Sequence, residues 1–232
     1  MRQVVLDTET TGLNPRTGDR VIEIGCVELI NRKLTGNNFH TYINPQRDSD
    51  PGALAVHGLT TEFLSDKPKF ADIASDLSAY IQGAEVIIHN APFDMGFLDA
   101  EYLRLKLSSF HDQVGHVLDT LVKAKELHPG KRNSLDALCD RYGISNAHRQ
   151  LHGALLDAEL LADVYLAMSR GQNSFVIDDE PAVVLAQQES AENSVLAPVR
   201  VHLAGEDELI LHKEVLTGLD KAVRGSCVWN RD

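Results

Sequence analysis

Asp7 and Glu9 stand in the segment LDTETTG, at the end of an apolar run that begins almost at the first residue. The stretch RQVVLDTET is predicted to form a strand, and alternate strand residues share a face, so the two carboxylates point the same way and Thr8 points opposite. Neighbouring carboxylates repel each other unless solvent, a shared proton or a cation relieves the repulsion. The pair is therefore a candidate metal site, and an ordinary solvated acidic strand end is the alternative.

A third acid, Asp94, lies in IIHNAPFDMGF, just past one predicted strand and at the start of a predicted helix. Backbone amides and the helix dipole stabilise a carboxylate at such a position and leave it available to a cation. An aspartate that only caps the helix is the alternative.

A histidine and a fourth acid, His152 and Asp157, are five residues apart in LHGALLDAELLADVY. Five residues of a regular helix separate two side chains by about 140°, so they would not share a face if both were helical. We therefore expect His152 to lie before the helix, in a non-helical start that Gly153 permits, while Asp157 occupies the first turns. A surface histidine beside an acidic helix face is the alternative.

Together these residues suit metal-dependent hydrolysis of a phosphodiester. The four acids are hard oxygen donors, which Mg²⁺ and Mn²⁺ prefer, and a histidine that titrates near neutrality can deprotonate water. Two such ions about 4 Å apart can bind a phosphodiester, one activating water and the other stabilising the departing oxygen. The acids in this set are Asp7, Glu9, Asp94 and Asp157, and the base is His152.

The predicted elements form an α/β fold. Two further strands, RVIEIGCVELIN and NNFHTYIN, follow the first, with LTGNN as a tight hairpin turn between them. A loop rich in Pro, Asp and Gly precedes a helix over FADIASDLSAYIQG, and AEVIIHN returns to strand. Then come a helix from Asp94, a short strand running into a helix in HVLDTLVKAK, a helix that begins at Ser134 and a long helix in HGALLDAELLADVYLAMSRG. This order predicts a mixed β-sheet flanked by helices.

Composition limits the class of protein. A chain of 232 residues, 43% of them hydrophobic, can bury one substantial core and still carry an appendage. The formal net charge of -12 argues against a broad basic surface for nucleic acid, so another component would have to hold such a substrate. Three separated cysteines and the absence of a leader or a bilayer-spanning run predict a cytoplasmic protein.

The last part of the chain differs from the rest. After Gly171, DDEPAVVLAQQESAENSVLAP has no sustained helical or strand period and is predicted to be a linker. Beyond it, Leu211, Val215, Leu219 and Ala222 follow at intervals of four, four and three residues. This spacing predicts an amphipathic helix on a tail too short to fold alone.

Three segments carry a family resemblance. DTETTG, HNAPFDMGFL and HGALLDAELLADVYL occur in the order and spacing of the exonuclease motifs, so the chain resembles the DEDDh 3′–5′ exonucleases of the ribonuclease H-like superfamily. KLTGNNFH and PGKRNSLDALC are similar to segments of the epsilon-type proofreading subunits of bacterial DNA polymerase III. The resemblance covers about residues 1–170, with a weaker similarity in the terminal GSCVW.

The resemblance implies a role for each site residue. Asp7, Glu9 and Asp157 would bind two divalent ions directly, Asp94 would support the second, and His152 would be the general base. It also implies that a further set lines the pocket for the last nucleotides of a single-stranded 3′ end of DNA: Thr10, Leu13, His57 and Phe93. One departure is Gly52 in DPGALAVHG, where relatives carry an acid, so an auxiliary contact to the 3′ end would be missing.

The resemblance also implies three regions with different partners: a catalytic domain over 1–173, a flexible linker over 174–198 and a polymerase-binding segment over 199–232. The segment would bind the polymerase III alpha subunit, and QNSFVI at 172–177 would contact the sliding clamp unless it is only linker. A small accessory theta-like subunit is a further candidate. The residues expected to bind these partners are Gln172, Phe175, Leu211, Val215, Leu219 and Trp229.

Two other functions compete with proofreading. A free-standing exonuclease that trims RNA or degrades oligoribonucleotides would use the same chemistry, but the polymerase-like tail would then have no role. A scaffold that has lost catalysis is the other alternative. The complete set of five site residues argues against it.

Overall fold

The computed structural model describes residues 1–146, 151–169 and 205–223. They belong to two compact units, one containing 1–146 and 151–169 and the other containing 205–223. Among these residues, no helix has the length and apolar character needed to cross a membrane.

The first unit is a mixed sheet flanked by helices, as the sequence predicts. Its strands are β1 (Arg2–Thr10), β2 (Val21–Ile30), β3 (Lys33–Leu34), β4 (Phe39–Tyr42), β5 (Glu85–Ile88) and β6 (His116–Asp119). The order across the sheet is β3-β2-β1-β5-β6, and β4 also pairs with β2. Antiparallel pairing joins β2 to β1, β3 and β4, whereas β5 lies parallel to both β1 and β6.

Helices flank the sheet. They are α1 (Pro51–His57), α2 (Thr61–Leu64), α3 (Phe70–Ile81), α4 (Ala91–Arg104), α5 (Phe110–Gln113), α6 (Thr120–Leu127), α7 (Leu135–Tyr142) and α8 (Ala154–Met168), with a 3₁₀ turn at Pro15–Thr17. The second unit contains α9 (Glu206–Val223). The strand and helix assignments for the longer elements confirm the sequence predictions, including the start of α7 at Ser134, whose hydroxyl accepts from the Ala137 amide.

The alternating residues of β1 serve two cores. Val4 and Leu6 pack in the cluster that includes α3 and α4, whereas Val5 packs in the cluster that includes Ala158 and Leu161 of α8. Because side chains alternate along a strand, Asp7 and Glu9 continue the Val5 face and Thr8 continues the other. The end of β1 therefore presents acids toward α8 and a threonine toward α4.

Two local predictions are wrong. The tight reversal after β2 lies at Asn31 and Arg32, both with positive φ, because paired positive φ values match the twist of a two-residue hairpin. LTGNN instead begins in β3 and leads toward β4. The segment expected to be a Pro-rich and Gly-rich loop contains α1 and α2, since Pro51 begins α1 and Gly58 ends it in the left-handed conformation.

Candidate active site

Ten residues line a cleft of about 190 Å³ where the parallel strands β1 and β5 end. All five titratable residues singled out in the sequence are among them, although positions 7, 94 and 157 are far apart in the chain. We call this the active-site cleft. Its lining residues are Asp7, Thr8, Glu9, His89, Asn90, Phe93, Asp94, Leu135, His152 and Asp157.

Asp94 reaches the cleft from α4, the helix that follows β5. The N-cap of α4 is Asn90 in the left-handed conformation, so Asp94 lies in the first turn and is not the cap. Thr8 donates to Asp94 Oδ1 twice, from its backbone N at 3.1 Å and from its hydroxyl at 2.7 Å. Burial nevertheless raises the pKa of Asp94 to about 7, because desolvation outweighs these hydrogen bonds.

A carboxylate on β6 holds the start of α4. Asp119 accepts from the Asn90 and Ala91 amides at 3.1 and 3.2 Å, and it also accepts from Leu121 N at 2.8 Å at the start of α6. One side chain thereby satisfies amides at the N-termini of two helices, which otherwise lack partners. This arrangement fixes the turn from which Asp94 projects.

His152 lies outside the helix that carries Asp157, as the spacing predicts. Gly153 is the extended N-cap of α8, and the Asp157 amide donates to its carbonyl at 2.9 Å. His152 Nδ1 lies 3.3 Å from Asp157 Oδ2, and the His152 amide donates to the Val56 carbonyl at 3.1 Å. The imidazole is 44% exposed, whereas Asp157 is buried.

The donor set fits a divalent cation. One ligand atom each from Glu9, His152 and Asp157 lies within 4.8 Å of the other two. Asp7 and Asp94 add two carboxylates to the same cleft. Oxygen-rich sites of this kind suit Mg²⁺ and Mn²⁺, and a cation would offset the cost of burying the negative charge of Asp94.

Of the four residues expected to bind the 3′ end, one lines the cleft and three do not. Phe93 lines the cleft and its ring centroid lies 5.0 Å from that of Phe97. Thr10 is buried and its hydroxyl donates to the Gly12 carbonyl at 2.7 Å, whereas Leu13 is 82% exposed. His57 is 3% exposed, and none of Thr10, Leu13 or His57 is among the residues that line the cleft.

Sequence reasoning missed several residues of the cleft. The sequence shows Thr8 only as the residue between two acids, yet its hydroxyl donates to Asp94. His89 Nδ1 lies 2.9 Å from the Thr120 hydroxyl, and burial lowers the pKa of this histidine. The signal for His89 and Asn90 was their position directly after β5, since the ends of adjacent parallel strands meet at one edge. Asp119, the last residue of β6, has the same signal because β6 lies parallel to β5, whereas Leu135 has none.

Comparison with known proteins identifies the family. The family model described as Exonuclease matches residues 4–165. The DNA polymerase III subunit epsilon of Pasteurella multocida is 52% identical in an alignment that spans 99% of this chain and 94% of that protein. The Haemophilus influenzae protein of the same name is 49% identical in an alignment that spans 99% of this chain and 95% of that protein. The chain belongs to the DNA polymerase III subunit epsilon family.

A solved structure of another exonuclease has a similar fold. Exonuclease X, solved in complex with 5′ overhanging duplex DNA, is 25% identical, with a TM-score of 0.58. The superposition spans 74% of this chain and 93% of the exonuclease X chain. As an epsilon family member with an exonuclease domain, the chain is a metal-dependent 3′–5′ exonuclease.

The tail of this epsilon family member is described only in part. Leu211, Val215 and Leu219 lie on α9 and are exposed. Three other residues expected to bind partners lie outside the described ranges: Gln172, Phe175 and Trp229.

Proposed function

We propose that the chain is the proofreading exonuclease of a bacterial replicative DNA polymerase and removes mispaired nucleotides from the 3′ end of the growing strand. One observation carries the proposal: four carboxylates and a histidine converge on one cleft in a chain of the epsilon family. Because bacterial chromosomes are replicated in the cytoplasm, the protein would be cytoplasmic.

Asp7, Glu9 and Asp157 would hold two Mg²⁺ or Mn²⁺ ions, and Asp94 would support the second. When bound, such ions lower the pKa of water and stabilise charge on the attacking and departing oxygens. The acids themselves would set where the ions bind in the cleft. Thr8 and Asp119 hold Asp94 through its carboxylate and through the start of α4, respectively.

His152 accepts the proton of the attacking water. Its backbone is held by Val56 of α1, and its Nδ1 faces Asp157, so Nε2 is the atom that would receive the proton. The partial exposure of the ring lets it approach water at the mouth of the cleft.

The last nucleotides would contact Thr10, Leu13, His57 and Phe93. Exposed Leu13 offers an apolar wedge, and Phe93 offers a ring for stacking. Leu59 N donates to His57 Nδ1 at 2.9 Å, so a neutral His57 carries its proton on Nε2. Within the described residues this buried Nε2 has no hydrogen-bond partner, and burial lowers the pKa of His57. A neutral His57 thus keeps an unsatisfied donor, although the ring is buried and does not line the cleft.

The polymerase would supply the basic DNA-binding surface that this acidic exonuclease lacks. With a formal net charge of -12, the chain depends on a partner to present DNA. We propose that 1–173 is the catalytic domain, 174–198 a linker and 199–232 the segment that binds the alpha subunit through Leu211, Val215 and Leu219. Residues 172–177 would contact the sliding clamp, and a theta-like subunit would bind the catalytic domain.

The substrate test uses the purified full chain with Mg²⁺. We expect hydrolysis of single-stranded DNA from the 3′ end and faster hydrolysis of mispaired than of paired duplex termini, with no hydrolysis by Asp7→Ala or Asp157→Ala. Circular dichroism checks that these variants fold. A marked preference for RNA oligonucleotides would favour the RNA-trimming alternative, and an active Asp7→Ala protein would refute the metal mechanism.

The partner test separates the tail from catalysis. Val215→Asp places a charge on the exposed apolar face of α9 and should prevent co-migration with the polymerase subunit on a sizing column, while hydrolysis of free DNA stays unchanged. Lys213→Gln, on another face of α9, is the control and should co-migrate. A chain truncated after Ser174 should likewise hydrolyse free DNA but lose proofreading on the polymerase, because the tether no longer raises its local concentration. Co-migration of the truncated chain would contradict this division.

A further inference from the structure

Gly25 occupies the middle of β2, directly opposite Asp7 of β1 in the antiparallel ladder. Residues opposite each other in a ladder project from the same face of the sheet. Gly25 therefore belongs to the face that carries Asp7 and Glu9 and that packs against α8.

The first turn of α8 lies directly on this glycine. A Cβ atom at position 25 would lie 2.3 Å from the Ala154 carbonyl carbon, 2.3 Å from Leu155 N and 2.4 Å from the Ala154 oxygen. Non-bonded carbon contacts lie at about 3.5 to 4.0 Å, so a methyl group here would have to push these atoms about 1.2 to 1.7 Å farther away. The opposing atoms are backbone atoms, which no change of rotamer can remove.

That turn of α8 carries one acid of the candidate metal site and directly follows the segment that holds the proposed base. Asp157 follows Ala154 by three residues, and His152 and Gly153 immediately precede α8. Glu9, on the other hand, is fixed in the hydrogen-bonded ladder of β1 and β2. An increase in the distance between α8 and the sheet would therefore move Asp157 away from Asp7 and Glu9.

The far end of α8 is attached independently. The Arg32 guanidinium donates to the Leu166 carbonyl at 3.0 Å and to the Ser169 hydroxyl at 2.8 Å, and Gln3 donates to the Tyr165 hydroxyl at 2.8 Å. Leu161 is buried between these contacts and the first turn. A methyl group at position 25 would thus tilt the beginning of α8 outward while its end stays attached.

We propose that Gly25 is a positioning residue of the metal site, because the missing side chain sets the distance at which α8 brings Asp157 to Asp7 and Glu9. This inference rests on the proposed function of these acids as metal ligands. Gly25 itself touches neither ion nor substrate.

The test compares Gly25→Ala with Gly96→Ala in the full chain. Gly96 lies on α4, the helix that carries Asp94, and a Cβ there meets nothing within 4 Å. Mn²⁺ affinity is measured by isothermal titration calorimetry at a temperature where circular dichroism shows both variants folded. We expect Gly25→Ala to lose about tenfold or more in Mn²⁺ affinity, and Gly96→Ala to match the wild-type chain.

A folded Gly25→Ala protein with wild-type Mn²⁺ affinity would overturn the proposal, even if its melting temperature were lower. Should Gly25→Ala not fold, Ala158→Val takes its place, since it adds two methyl groups at the same helix–sheet interface one turn later. Weakened Mn²⁺ binding by that variant supports the proposal and unchanged binding overturns it. A wild-type chain that bound no Mn²⁺ and hydrolysed no DNA would instead refute the proposed function itself.

Discussion

Thr8 holds the carboxylate of Asp94 with both its backbone amide and its hydroxyl, although its side chain lies on the face of β1 opposite Asp7 and Glu9. The candidate metal site therefore spans the end of the sheet. Two acids come from one face of β1, and a third is held from the other face through the residue between them. This relationship gives the threonine a function that its position between two acids does not suggest.

Removal of the Thr8 hydroxyl should weaken the site. Thr8→Val keeps the branched shape and the backbone donor, but Asp94 loses the shorter of its two hydrogen bonds, which is worth about 0.5 to 1.5 kcal/mol. We expect Mn²⁺ affinity to fall about threefold to tenfold. Thr8→Ser retains the hydroxyl and should bind Mn²⁺ like the wild-type chain. Equal affinities for the valine and serine variants would show that the hydroxyl does not position Asp94.

Asp94→Asn should stabilise the metal-free protein. Burial raises the pKa of Asp94, which means that its negative charge is unfavourable in the fold when no cation accompanies it. In EDTA at pH 8, the melting temperature of the variant should exceed that of the wild-type chain by at least about 2 °C. Mn²⁺ should then raise the melting temperature less in the variant. Asp163→Asn, an exposed change on α8, should alter neither quantity, and a lower melting temperature for Asp94→Asn in EDTA would contradict the interpretation.

His152→Ala should separate proton transfer from metal binding. Loss of a general base typically costs about 10²-fold to 10⁴-fold in rate, so kcat on single-stranded DNA should fall by that amount while KM and Mn²⁺ affinity stay nearly unchanged. His111→Ala, an exposed histidine on α5, is the control and should keep the full rate. A parallel fall in Mn²⁺ affinity would make His152 a metal ligand, which its place beside Glu9 and Asp157 also allows.

Gly52 stands where relatives carry an acid, and substitution at this position tests whether that acid matters. It lies in the first turn of exposed α1, and a Cβ there meets nothing within 4 Å. Gly52→Ala should therefore stabilise the protein by about 0.5 to 1 kcal/mol without changing activity, because alanine favours a helix more than glycine does. Thermal unfolding and steady-state assays measure both effects.

Gly52→Glu should fit the same open space and gain a favourable interaction with the start of α1. If an acid here contacts the 3′ end, the glutamate variant should show a lower KM for single-stranded DNA than the alanine variant. Identical KM values would show that the departure at Gly52 has no consequence for 3′-end binding.

Much of the site could be derived from the sequence because it depends on local periodicity. The two-residue repeat of a strand places Asp7 and Glu9 on one face, and the angular spacing of a helix excludes His152 from the helix that carries Asp157. The structure confirms both predictions. Local signals failed where they were ambiguous, as at Asn31 and Arg32, which lack the glycine that usually marks a two-residue hairpin.

The sequence by itself thus determined the family, the mixed sheet and the chemical types of the site residues, since each is encoded in short segments. Only the tertiary structure decided how these residues meet. The parallel pairing of β5 with β1 brings Asp94 beside Thr8, and Asp119 of β6 holds the start of α4. The close approach of α8 to Gly25 depends on backbone atoms about 130 residues apart, and no local propensity or repeat specifies a contact between segments so distant in the chain.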